Sequence, residues 1–468
     1  MTFSSPAFLF VFFPIVLLLY CLCPGLRAKN MLLMVASLLF YAYGEPFAML
    51  LMLFVVFLSW SCALLGAKSK QWQRLLLPIG ITGNLVLLGI YKYAGFFVRS
   101  LNDLFGLSLP IPQIVLPIGI SFFIFQAISY LMDTARDQAQ PQKNYLHLLL
   151  YISFFPQLIA GPIVRYQTIA EALQHRSMTL LQTASGFRRM ILGLSKKLLF
   201  ADTLGFIADA AFNAGDTLTL PLAWLGAVCY TLQIYFDFSG YSDMAIGMGR
   251  IFGFSFLENF RYPYCADSIT DFWRRWHISL TTWFREYLYI PLGGNRKGKW
   301  RTICNKWIVF FCTGLWHGAS WNFILWGLVN GFFMTLEQLL AKQKQHSVIK
   351  NCLSHCYTLL VVICAFVLFR AETLTQARHF YLTMFTDWNI DHAALSGCFH
   401  YLTPLVWMIL ILAILSCTPL LRKCYTTLLQ QHPTAAAVCG YVGTIILLMI
   451  CMLNVASTSY HPFIYFRF

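Results

Sequence analysis

The sequence predicts an all-α, polytopic membrane protein. Of its 468 residues, 59% are hydrophobic and 11% charged, and the mean hydropathy is +0.65. A soluble chain carries roughly 25% charged residues and needs them to cover its surface. Apolar runs long enough to cross about 30 Å of hydrocarbon recur along the chain. Together these observations exclude a soluble enzyme, a secreted disulfide module and a disordered tail.

The runs fall approximately at 7–23, 31–43, 46–66, 75–98, 112–132, 144–163, 186–212, 220–250, 303–317, 319–341, 352–370, 402–421 and 435–456. The short runs 31–43 and 303–317 are candidates for tilted or re-entrant segments, so about eleven crossings are expected. No Lys or Arg precedes the first run and no small-residue cleavage site follows it. Bulky Tyr20 before Cys21 speaks against a lipoprotein signal, so this run is expected to be a retained span. Arg27 and Lys29 follow the first span, whereas Lys68, Lys70 and Arg74 follow the third. The turn between the second and third, Gly44-Glu45-Pro46, has no positive charge. The positive-inside rule then puts the N-terminus outside and both basic loops in the cytoplasm. Residues 1–110 read as N-terminal spans, and 111–468 as the rest of one integrated membrane domain.

The formal net charge of +15 fits basic residues that flank spans and face anionic headgroups. Without any nucleic-acid fold signal it does not indicate a nucleic-acid partner; the expected partner is the bilayer. Most of the 15 cysteines lie in apolar runs, Cys62, Cys229, Cys312, Cys364 and Cys451 among them, where Cys acts as a small hydrophobe. No C-x-x-C pair exists, and Cys352, His355 and Cys356 lack a fourth ligand at helical spacing. No metal site and no bound cofactor are expected.

Two stretches interrupt the apolar rhythm. Residues 164–190, with Arg165, Glu171, His175, Arg176, Arg188 and Arg189, read as an interfacial amphipathic helix. Residues 261–301 hold eight Lys or Arg and three Asp or Glu, a density that marks a folded polar surface or re-entrant segment. Within it Asp271 and Arg275 are i,i+4 neighbours on an expected helix, as are Asp267 and Asp271. Trp273, Trp276, Trp283 and Phe284 give that helix an aromatic face suited to a membrane interface. His277, one turn after Arg274, is expected to be neutral because a nearby cation disfavours its charged form. The Gly293-Gly294-Asn295 turn and its basic tail, Arg296 included, are compatible with phosphate binding.

Ionisable groups inside a membrane are expensive and invite functional readings. Asp237 and Asp243 lie in an apolar run. Six residues place them about 240° apart on a helix, which disfavours paired acid/base work. Asp237 with Tyr241, and Ser239 with Asp243, are i,i+4 pairs; alternatively the carboxylates anchor basic side chains of 261–301. His317 sits at the boundary of two apolar runs with Trp316, Trp321 and Trp326 around it. A neutral imidazole in such a pocket suits a general base near pH 7, and the alternative is a core His bonded to a carbonyl. Gly314, Gly318 and Ala319 would allow close approach of a helix or an acyl chain.

FWRRWHISLTTWFREYLYIPLGGNR followed by TGLWHGASWNFILWG resembles the membrane-bound O-acyltransferase superfamily. The likeness is greatest to its bacterial branch of alginate O-acetyltransferase membrane subunits. PIGISFFIFQAISYLMD, FFPQLIAGPIVRY, GLSKKLLFADTL and YFDFSGYSDMAIGMGR match that branch in order, as does the terminal SYHPFIYFRF, where His461 replaces the branch's usual Asn. The resemblance covers roughly residue 110 to the end. It implies about eleven spans plus re-entrant and interfacial helices around a central funnel and tunnel. It also implies a catalytic His317 in the WHG motif and a second family histidine, His277. The D-alanyl transferase branch of the family lacks the LGGN turn in this form, so the resemblance at Leu292 to Asn295 implies polysaccharide acetylation rather than D-alanyl transfer to teichoic acid. Expected substrates and partners are acetyl-CoA or another acetyl carrier on the cytoplasmic side and a periplasmic SGNH-type acetyltransferase. Donor or acceptor contacts are expected from Arg274, Trp316, Trp321, Asn322, Asp237, Asp243, Asn295 and Arg296. The chain has no G-x-S-x-G elbow of its own. Competing readings are an acetyl-conducting transporter without chemistry and a scaffold that only recruits the soluble transferase.

Overall fold

The computed structural model describes residues 1–159, 161–340, 348–388, 390–457 and 463. His461 lies outside the described residues. Among them, helices are the only regular secondary structure. Among the described residues, five helices are long and apolar enough to cross a membrane: Pro46–Gly66, Lys70–Phe105, Trp321–Leu340, Val348–Arg370 and Pro433–Ser457. His392–Tyr401 and Pro404–Ser416, bent by 74° at their junction, together make a sixth candidate. Val438, Ile445, Met449 and Leu453 of the Pro433–Ser457 helix are all exposed, a surface that hydrocarbon covers at no cost.

Proline accounts for the largest departures from the expected spans. The run 112–132 does not form one helix: residues 107–118 are non-helical and the helix starts at Ile120. Pro110, Pro112 and Pro117 disfavour helical backbone before them, and Gly119 has φ +78° at the helix entry. The run 144–163 is broken at Phe154 into Tyr145–Ser153 and the short Phe155–Leu158, with Pro156 in the latter's first turn. Nine helical residues extend only about 14 Å, well short of a crossing. The expected amphipathic helix over 164–190 is instead Tyr166–Gln174 followed by the start of Leu180–Ser195.

The chain divides into two compact units, one of Met1–Met190 with Ser242–Leu257, the other of Ile191–Tyr241 with Glu258–Ile464. In the first, Gly25–Ala42 packs on Tyr145–Ser153, and Pro46–Gly66 packs on Lys70–Leu88 and Ile120–Ala135. In the second, Lys299–His317 packs along Trp321–Leu340, which in turn meets Val348–Arg370.

The Lys299–His317 and Trp321–Leu340 pair is a backbone-to-backbone approach. A Cβ on Gly327 would overlap the carbonyl oxygen of Phe310, and one on Gly314 would overlap that of Phe323. Small residues let helices approach in this way, and His317 ends one member of the pair. Gly327→Ala is expected to destabilise the protein by about 1–3 kcal/mol through overpacking. Thermal unfolding in detergent checks this; an unchanged midpoint would contradict the close approach.

Candidate functional site

The site lies wholly within the second unit, where two short helices replace the single one expected over 261–301. Ile269–Arg275 opens on Ser268, whose hydroxyl accepts from the Asp271 amide. Ile278–Phe284 follows, and between them His277 adopts left-handed backbone, φ +43° and ψ +55°. A non-glycine residue in that region costs of order 1–3 kcal/mol and needs surroundings that hold it there.

Asn259 supplies that hold. Its backbone carbonyl accepts from Ile278 N at 2.9 Å. Its side-chain Oδ1 accepts from Ser279 N at 3.1 Å and Ser279 Oγ at 3.0 Å, and meets His277 Nδ1 at 3.3 Å. An amide oxygen only accepts, so a hydrogen bond between Oδ1 and the ring has Nδ1 as its donor; Ser279 Oγ also stands 3.4 Å from Nδ1. That tautomer leaves a lone pair on Nε2, which has no hydrogen-bond partner among the described residues. His277 is fully buried, and burial pushes its pKa well down. Neutrality was expected from Arg274, but the Arg274 side chain is exposed and desolvation is the cause.

The Trp321–Leu340 helix fixes the approach to this turn. Glu337 accepts from the amides of Ile269 and Thr270 at 2.6 and 3.1 Å, placing a carboxylate at the start of the Ile269–Arg275 helix. Asn330 Oδ1 accepts from Trp273 Nε1 at 3.1 Å. Arg275 pairs with Asp271 at 2.7 Å, as the i,i+4 spacing predicts, whereas Asp267 precedes the helix and is not its i,i+4 neighbour there. Trp273, Trp276, Trp283 and Phe284, expected at a membrane interface, are buried protein core.

His317 ends the Lys299–His317 helix and is 4% exposed. The ring centroids of Trp316, Trp326 and Phe369 lie 4.9, 5.0 and 5.1 Å from its own, each ring nearly perpendicular to it. Trp316 also stands 6.0 Å from His277, and Phe238 meets His277 at 4.5 Å. The structure thus brings both sequence-predicted histidines to one indole, inside an aromatic enclosure.

The other expected contacts separate. Trp321 is 56% exposed, and Trp326 and Phe369 stand against the His317 ring. Asn322 is buried, and its amide donates to the Ala371 carbonyl at 2.6 Å, tying two helix ends together. Asn295 and Arg296 are exposed on the turn after Leu292, which Asn305 holds through the Gly294 carbonyl at 2.9 Å. Asp237 pairs with Lys197 at 2.8 Å, and Lys197 also reaches Asp202 at 2.7 Å. Asp243 lies in the first unit and pairs with Arg189 at 2.6 Å. Both carboxylates therefore anchor cations, but from the 180–201 stretch rather than from 261–301 as expected.

Sequence reasoning missed Asn259, Phe238, Phe369, Asn330 and Glu337. Glu337 alone carried a visible signal, as an isolated carboxylate in an apolar run.

Breaking a buried ion pair typically costs about 3–5 kcal/mol. Lys197→Met is therefore expected to cut the yield of folded protein sharply, and adding Asp237→Leu to recover part of it. Size-exclusion profiles of the single and double variants check this; no recovery would mean that Asp237 does more than partner Lys197.

The model of the membrane-bound O-acyltransferase family, MBOAT, matches residues 37–375. The probable alginate O-acetylase AlgI of Pseudomonas putida is 40% identical over 492 aligned residues spanning all of both chains. The probable AlgI of Pseudomonas aeruginosa is 42% identical, across 93% of this chain and 85% of that protein. The peptidoglycan O-acetyltransferase of Helicobacter pylori is 36% identical, across 80% of this chain and 78% of its own.

Proposed function

The chain belongs to the membrane-bound O-acyltransferase family and is an O-acyltransferase, and from that premise we propose that it moves acetyl groups from a cytoplasmic donor to an exported polysaccharide. It is a multi-pass bacterial membrane protein. In this reading it sits in the inner membrane with the N-terminus outside, takes acetyl from acetyl-CoA, and delivers it to a periplasmic SGNH-type acetyltransferase that modifies the glycan. The names of its relatives support an alginate-like polymer or peptidoglycan as final acceptor, with cellulose a further candidate.

The observation that carries the reading is the pair of buried histidines flanking Trp316. His317 takes the proton of an acceptor hydroxyl as its oxygen attacks the thioester carbonyl. The new C–O bond forms, the C–S bond breaks, and the proton passes from His317 to the departing sulfur. The carbonyls at the end of the Lys299–His317 helix favour the imidazolium that exists between those two transfers. His277 stays neutral, and its Nε2 lone pair accepts a hydrogen bond that orients the hydroxyl or the donor. Trp316, Trp326 and Phe369 exclude water, which limits thioester hydrolysis.

Positioned general bases contribute about 10²- to 10⁴-fold. His317→Ala, inserted at parental levels, is expected to lower transfer from acetyl-CoA by that order. Glycan acetylation at the parental rate would sink the assignment and favour a transporter or scaffold. Asn259→Ala is expected to lower kcat more than it raises KM, because it frees the His277 ring while leaving the enclosure intact; the steady-state kinetics of the purified protein check the split.

A further inference from the structure

The first unit holds a cavity of about 740 Å³ that takes no part in the chemistry above. It lies where the start of Gly25–Ala42, the start of Tyr145–Ser153 and the end of Tyr166–Gln174 meet. Its volume is that of a small-molecule site.

We infer that this cavity binds a phosphate ester bearing an apolar chain, as an anionic phospholipid presents. Arg27, His147 and His175 line it, and among the described residues no carboxylate does. Behind them stands Arg176, whose partners are all neutral. Its Nη1 donates to Asn30 Oδ1 at 2.6 Å and to the Ala172 carbonyl at 3.0 Å. Its Nε donates to the Phe252 carbonyl at 3.0 Å and the Tyr20 hydroxyl at 3.1 Å, and its plane lies over Phe254. Its Nη2 is buried with no hydrogen-bond partner among the described residues. Asn30, itself a lining residue, is locked by this bond and by its amide donating to the Leu173 carbonyl at 2.8 Å. Arg27, with Arg176 behind it, makes the wall positive, and burial together with Arg176 pushes the His147 pKa down, so that ring serves as a neutral hydrogen-bonding group. A fixed guanidinium beside neutral donors is a preorganised setting for a phosphate.

The apolar part of the ligand has its own track. Met31 and Met34 line the cavity. Met31, Val35 and Leu39 are 46%, 44% and 62% exposed. Spaced by four, they share one face of the Gly25–Ala42 helix and continue from the cavity for about 12 Å. A free nucleotide would leave that stripe unused, whereas an acyl chain would follow it. Arg27 and Lys29, in the first turns of the Gly25–Ala42 helix, are charges the positive-inside rule assigns to the cytoplasm, the face where anionic headgroups meet basic pockets between helices.

The test is lipid selectivity in native mass spectrometry of the full chain, delipidated and then offered phosphatidylglycerol or phosphatidylcholine. The parent is expected to retain phosphatidylglycerol at least tenfold better. Arg27→Gln/His175→Ala is expected to abolish that preference, and Gln174→Glu, an exposed change at the same rim, to weaken it independently. Met31→Trp should reduce lipid retention while leaving binding of coenzyme A unchanged. If instead coenzyme A displaces the lipid and its own binding falls in Arg27→Gln/His175→Ala alone, the phosphate comes from a soluble donor. Equal retention of both lipids, or a preference that survives all three variants, overturns the inference.

Discussion

One carbonyl oxygen, Oδ1 of Asn259, holds the turn that carries His277. It accepts from the amide and the hydroxyl of Ser279 and faces the histidine's Nδ1. In an interior without water, each of those donors would cost about 1–3 kcal/mol if left unmade. The left-handed backbone at His277, unfavourable by itself, is the arrangement in which these donors are paired. The tautomer follows from the same oxygen, since an amide oxygen can only receive from the ring. Glu337 and Asn330 then fix the helix leading into the turn, both from Trp321–Leu340, the helix that packs on the one ending at His317. The two histidines are thus referenced to a single structural element.

Where the sequence was legible, one physical influence outweighed the others. Pro46–Gly66 and Val348–Arg370 are apolar, continuous and proline-free inside, and they form close to the runs that announced them. The 112–132 run failed because composition alone hides what Pro112 and Pro117 do to the backbone. His317 and His277 were legible because an imidazole among apolar residues is conspicuous, and because their flanking motifs resemble a family. Their neighbours were less so. Trp321 drew attention as a sequence neighbour of His317, whereas Trp326, five residues on and about 140° around the helix, stands edge-on to the imidazole. Phe369 comes from another helix, and no local pattern announces such a pairing.

The scarce charges follow the same rule of local satisfaction. Lys197 is shared by Asp202 and Asp237, and Arg189 holds Asp243. The basic segment 261–301 was the natural partner by abundance of charge, but abundance ignores exposure. Arg274, Arg296, Lys297 and Lys299 face outward, where water or headgroups solvate them, so they were never short of partners. Lys197 is buried and Arg189 only a quarter exposed, and these two took the buried carboxylates.

That contrast bears on how two histidines can share one proposed reaction. A base must be neutral when it receives a proton and tolerated as a cation afterwards. His277 meets the first condition, but its position inside the protein, with Nδ1 engaged by a neutral amide oxygen, gives a positive charge little to rest on. It is suited to accepting a hydrogen bond, not to holding a proton. His317 lies where a helix presents its terminal carbonyls, the end at which positive charge is favoured by up to about 2 kcal/mol in partly buried settings. The division of labour between orienting and proton transfer then rests on one asymmetry: His317 ends a long helix, whereas His277 occupies a strained turn between two short ones.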